Sequence, residues 1–349
     1  RLSSDFNHIS RLYEQLGDDT IWAFAKSEGA TSIIGDKLRT ILGYDRTPHH
    51  WLSEVESTES RIAMYMEQLD IAANALYKEG ILLVALKNSG IARGLHFSHA
   101  STPMGDVDVL VSPSDFHRAH TILQGLGFQL DDRSPFKISD INEALAHGGA
   151  EYRVILRDGS ELWFELQWRP IAGRWIPLEK EPPADHLLHR SVAIPSTKAR
   201  LLQPEDNLFQ VCLHTAKHTY IRSPGFRLHS DVDRIVYYSS IDWESFCERV
   251  ENASVRTAVF LSLIIPKIFL GTKIPDHVLD RLNSSPLKNR ILLRWINRIG
   301  FFNPNRKKWS KPGYILFNIL LYDSINDLIR SIFPKPASLF KHEQHNHFL

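Results

Sequence analysis

The segment PMGDVDVLV, residues 103 to 111, sets two aspartates one residue apart inside a run of valine and leucine. Side chains alternate faces along a strand, so Asp106 and Asp108 point one way while Val107 and Val109 point the other, into a core. Two like charges held side by side raise a pKa or are relieved by a cation. Paired oxygen donors on a rigid strand suit Mg²⁺, which commonly takes one or two carboxylates together with substrate phosphates. A bare D-x-D also fits the solvated face of an edge strand. Its context favours a metal site: a strand, a helix and a loop precede it, a helix follows it, and some 57 residues later an acid stands on an alternating strand. In that strand, ELWFELQWRP, Leu162, Phe164 and Leu166 alternate with Trp163, Glu165 and Gln167. If the two strands lie side by side, Glu165 completes a three-carboxylate cluster able to hold two divalent ions.

The rest of the chain frames this pair. Residues 5 to about 79 carry helical spacing; in SRIAMYMEQLDIAANALYKEG, Ile62, Met66, Leu69 and Ala73 fall on one face and Gly80 is a stop signal. From residue 81 the pattern changes. ILLVALK reads as a buried strand, NSGIARGLHF as a short helix, GDVDVLV as a second strand and SPSDFHRAHTILQGLGF as a helix. EYRVILRD and ELWFELQWRP, separated by Gly159-Ser160, form a predicted hairpin, and the sheet is expected to close near Pro170. The predicted organisation is a helical amino-terminal region (1–79), a mixed α/β core (80–170), a connector (171–203) and a helical carboxy-terminal domain (204–349). The fold class is therefore α+β, a small mixed sheet flanked by helices.

Two helical stripes extend the candidate site. Gln210, His214, Lys217 and His218 share one face of PEDNLFQVCLHTAKHTYI, opposite Leu208, Val211, Cys212 and Thr215. Arg227, Asp231 and Arg234 share a face of FRLHSDVDRIVYY. Turned towards the sheet, Lys217, Arg227 and Arg234 would bind phosphates with Asp231 orienting them; turned outwards, they are solvated faces or internal ion pairs. Zinc on His214 and His218 has weak support, since the pair lacks the glutamate of H-E-x-x-H and Cys212 lies on the opposite stripe. His117 and His120 are expected at the surface, the histidines of KHEQHNHFL in a mobile tail, and the cations of NPNRKKW in a solvated loop.

Composition excludes several classes. With 41 Lys+Arg against 40 Asp+Glu there is no global field to favour nucleic acid or a membrane surface. Two cysteines, Cys212 and Cys247, argue against a disulfide framework and for a reducing compartment, so the chain is expected in the cytoplasm. The most apolar stretch, TAVFLSLIIPKIFLG, is too short to span a bilayer and contains Pro266 and Lys267, as a buried helix would. No secretory leader is read at its start. No G-x-G-x-x-G, Walker lysine loop or G-x-S-x-G elbow is present.

With these residues in place the sequence resembles the nucleotidyltransferase superfamily typified by DNA polymerase β, and within it the bacterial branch called the uncharacterised nucleotidyltransferase family. VALKNSG, TPMGDVDVLV and FELQWRP occupy the family's motif positions, and LLQPEDNLFQVCLHTAKH, FRLHSDVDRIVYYSSIDWESF and IFPKPASLF continue the likeness. The resemblance implies transfer of an NMP from an NTP, ATP first among them, to a small-molecule or peptide acceptor with release of pyrophosphate. It implies Mg²⁺, or Mn²⁺, on Asp106, Asp108 and Glu165, and a turn in which Lys87, Asn88 and Ser89 receive the triphosphate. The family occurs in natural-product and surface-polysaccharide gene neighbourhoods, which points away from nucleic acid as acceptor. Asn88 stands where the family usually has glycine, and Thr102 where it usually has arginine; they motivate the alternative of a catalytically degenerate nucleotide-binding protein on the same fold.

Overall fold

The computed structural model describes residues 2–95, 98–131, 140–170, 176, 180–222, 225–300 and 310–332. NPNRKKW and the histidines of the tail lie outside them. Four helices lead: α1 (Leu2–Leu16), α2 (Asp18–Ser27), α3 (Thr31–Leu42) and the long α4 (His49–Lys78). Then come β1 (Val84–Ala85), α5 (Lys87–Gly94), β2 (Asp106–Leu110), α6 (Phe116–Gly125), β3 (Gln129–Leu130), α7 (Ile141–His147), β4 (Gly149–Ile155) and β5 (Glu161–Gln167). After α8 (Ala184–Arg190), β6 (Val192–Ala193) and β7 (Arg200–Leu201), the chain is helical: α9 (Pro204–Lys217), α10 (Arg227–Tyr238), α11 (Trp243–Asn252), α12 (Arg256–Leu270), α13 (Asp276–Leu282), α14 (Pro286–Ile299), α15 (Lys311–Leu320) and α16 (Ile325–Ile332).

The strands form one mixed sheet in the order β3-β4-β5-β2-β1-β7-β6. β4 and β5 pair as the expected hairpin, β2 runs parallel to β5, and β1 runs antiparallel to β2. The sheet does not close near Pro170: β7 adds in parallel to β1, and β6 pairs with β7. Two-residue strands are too short to show alternation, so nothing in residues 192–201 signals them.

The alternation of β2, β4 and β5 decides what each face meets. Val107, Val109, Tyr152, Leu162, Phe164 and Leu166 pack against Ile62, Leu69, Ala73 and Leu76 of α4 and Phe116 of α6 in one buried core. The stripe expected on α4 therefore covers the sheet. A second core joins α9 (Leu208, Cys212), α10 (Val232, Ile235) and α12 (Val259, Leu263). Short α5 touches both, with Ile91 in the helical core and Ala92 in the sheet core. α12 is buried through Pro266, as expected of an apolar helix, but its last turn runs past the core and exposes Ile268 and Phe269. His117 is exposed; His120 is half-buried, its Nδ1 2.8 Å from the Tyr152 hydroxyl, a cross-element contact that spacing along the chain does not reveal.

Candidate active site

The unburied face of the sheet centre is acidic. Asp108 is the Cα partner of Glu165 across β2 and β5, and Glu165 is that of Glu151 across β5 and β4. Three carboxylates thus stand in one row over three adjacent strands, with Asp106 two residues along β2 on the same side. These acids form the floor of a cleft of about 270 Å³. Its opposite wall is cationic: His214, Lys217 and His218 of α9 with its C-cap, and Arg227 with Asp231 from α10. Both stripes read from the sequence therefore face the sheet.

Asp108 is 4 % exposed and held from three sides. Its carboxylate accepts from Lys87 Nζ at 2.6 Å and from Gln167 Nε2 at 2.9 Å, and its backbone N–H donates to Ser89 Oγ at 3.0 Å. Burial pushes its carboxyl up; the Lys87 ammonium pulls it back and the Glu165 charge adds to the rise, leaving it at about 7. Burial works against the Lys87 ammonium as well, but the Asp108 and Glu165 charges outweigh it, and Lys87 stays protonated above the ordinary lysine range. Lys87 begins α5 in the left-handed region, with φ of 49°. That costs an L-residue roughly 1–2 kcal/mol. The turn carries its ammonium to Asp108 and within 4.0 Å of Glu165.

The neighbouring residues sort into those facing the cleft and those beneath it. Asn88 lines the cleft, and its amide, with the NH₂ turned to the carboxylate, lies 2.9 and 3.0 Å from the two oxygens of Asp231. Ser89 is fully buried under β2. Arg234 is buried one turn beyond Asp231 and donates to it at 3.1 Å. Gln210 accepts the Lys87 backbone N–H at 3.4 Å. Burial, with Lys87, His218, Lys217 and Arg227 nearby, drives His214 well below the ordinary histidine range, so its imidazole is neutral at pH 7. Thr102 is buried and its hydroxyl donates to the His99 carbonyl at 3.3 Å. Glu151 and Gln167 were not singled out by spacing; period-2 alternation marks both as off the apolar face, but only strand register brings Gln167 beside Asp108 and Glu151 beside Glu165.

A family model described as uncharacterised nucleotidyltransferase matches residues 14–271. The chain belongs to this family. The reaction type is accordingly transfer of a nucleoside monophosphate, and the protein is a transferase of the nucleotidyltransferase class. A search of curated proteins finds no match. Among the described residues no helix is long and apolar enough to cross a membrane.

The donor chemistry of Asp106, Asp108 and Glu165, hard carboxylate oxygens on one face, fits a divalent ion such as Mg²⁺. The present arrangement does not close on one, because among the described residues no three His, Cys, Asp or Glu side chains stand close enough to hold a metal. The Lys87 ammonium takes the place of a cation against Asp108.

Proposed function

We propose that this nucleotidyltransferase is divalent-metal-dependent and moves an NMP, from ATP in the first instance, to an oxygen of a small-molecule or peptide acceptor. The supporting observation is the register that sets Asp108 against Glu165 with Asp106 on the same face, opposite a cationic wall. Asp106, Asp108 and Glu165 would hold Mg²⁺ or Mn²⁺. Such an ion, when bound, lowers the pKa of an attacking oxygen and neutralises charge on the phosphates. Lys87, released from Asp108, and Lys217 and Arg227 bind the triphosphate; Asn88, Asp231 and Arg234 hold that wall in place, and Ser89 holds the β2 backbone. The acceptor oxygen forms a bond to the α-phosphorus, its proton passes to Glu165, and the bond to the β-phosphate oxygen breaks to release pyrophosphate. Two buried free cysteines suit a reducing compartment, and we place the reaction in the cytoplasm.

Incubation with each α-labelled NTP, Mg²⁺ or Mn²⁺ and host extract tests this. A product heavier by one nucleoside monophosphate, with stoichiometric pyrophosphate and absent with Asp108→Asn, is expected. The seating of Lys87 on Asp108 favours a second reading, nucleotide binding without transfer. Calorimetric NTP binding with no pyrophosphate released across acceptors would select it.

A further inference from the structure

We infer that Arg61 and Arg227 together form a seat for a phosphate group, and that the group it takes is the terminal phosphate of the nucleotide. The second half of this inference rests on the proposed function; the first does not. The observation is an absence of partners. Several partly buried arginines elsewhere in the molecule end on carboxylates, Arg93 on Asp70, Arg190 and Arg249 on Asp206, Arg281 on Glu244 and Glu251, and Arg200 ends on the Ser191 hydroxyl and carbonyl. Arg61 and Arg227 do not. The Nε of each is buried and has no hydrogen-bond partner, and neither forms an ion pair among the described residues.

These two unpartnered guanidiniums share one neighbourhood. Arg227 lines the cleft. Burial lowers its pKa, and the charges of Arg234 and Arg61 lower it further against the pull of Asp231 and Asp106. Arg61 comes from the other side, on α4, one turn before Tyr65, whose hydroxyl lies in the field of both Arg61 and Asp106. One cation from α4 and one from α10 thus lie within each other's field, in the neighbourhood of Asp106. Unpaired buried N–H groups and mutual repulsion make this arrangement costly while it is empty. An incoming dianion removes both costs, and a phosphate matches the planar donor fork of a guanidinium. Inorganic phosphate, a phosphorylated acceptor and the tail of an NTP share that chemistry; proximity to Asp106 favours the last.

Titration calorimetry of the full chain with tripolyphosphate, inorganic phosphate, ATP and AMP, on wild type, Arg61→Gln and Arg61→Lys, tests the inference. Loss of a charge-assisted hydrogen bond to phosphate weakens binding by about tenfold or more. Arg61→Gln is expected to show that loss for ATP and tripolyphosphate and none for AMP, with Arg61→Lys intermediate. Its ligand-free melting temperature should hold or rise, because an unpaired charge has been removed; an arginine needed for folding would lower it. Unchanged tripolyphosphate and phosphate affinity in Arg61→Gln overturns the seat. Weakened phosphate binding with unchanged ATP affinity keeps the seat and overturns its assignment to the nucleotide. A wild type that binds tripolyphosphate through Arg61 but no NTP keeps the seat and overturns the nucleotidyltransferase reading.

Discussion

Asp108 joins the chemistry of the site to the stability of the fold, because the carboxylate that would bind a metal is the partner of a buried lysine. Asp108→Asn should therefore do two things. Transfer should fall by about 10²–10³-fold, and stability by about 3 kcal/mol, because Lys87 loses its counter-charge. Urea denaturation checks the second effect, and adding Lys87→Met should restore most of it. A single variant as stable as wild type would mean that Glu165 alone satisfies the ammonium. His229 gives a separate handle on pH. It is fully buried, and burial drops it from the ordinary 6.5 to about 4, with its Nε2 2.9 Å from the Tyr220 carbonyl oxygen. The native state holds the neutral ring, so stability is complete above pH 6.5 and drains as the pH falls towards about 4. The loss across that window is about 3 kcal/mol from this residue. Denaturation midpoints measured at several pH values should show this slope, and His229→Gln should flatten it. At this scale the sequence was readable where a period applied: alternation set Asp106, Asp108 and Glu165 off the apolar faces of their strands. It was silent on Arg61, because a lone arginine on an amphipathic helix looks like any solvated cation until its missing partner is seen.

Among the elements, α5 is the most constrained. A Cβ on Gly90 would stand 2.7 Å from the Ala85 carbonyl oxygen and 2.9 Å from Leu201 Cδ1, so the helix lies directly on β1 and β7. The first obstacle is backbone and cannot turn aside. Gly90→Ala should cost about 1–3 kcal/mol and, by shifting the Lys87 turn, should weaken nucleotide binding; melting curves and calorimetry on one preparation check both. Gly105 is the contrast. A Cβ there meets nothing within 4 Å although the residue lines the cleft, so Gly105→Ala should leave the melting temperature unchanged. The hairpin, β2 and α6 were legible because each has enough residues to express a period. β6, β7 and the parallel pairing of β2 with β5 were not, since register is fixed by contacts far apart in sequence.

For the molecule as a whole, the cleft lies between two cores, and among the polar contacts that tie its walls together are those of Asn88 with Asp231 and of the Lys87 N–H with Gln210. Asn88→Ala leaves the buried Asp231 short of a donor and should cost about 1–3 kcal/mol, read by urea denaturation, with a further loss in NTP affinity because Arg227 shares that wall. The division of the chain into helical, mixed and helical parts was plain from its changes of period. That the carboxy-terminal helices would face the sheet's acids while α4 covers its apolar face was not, because amphipathic stripes say which side is buried and never against what. The central place of β2, hydrogen-bonded on both sides, has a consequence in time. Its amides should be among the last in the protein to exchange with deuterium. The carboxylates would then keep their spacing through every opening that admits or releases a ligand.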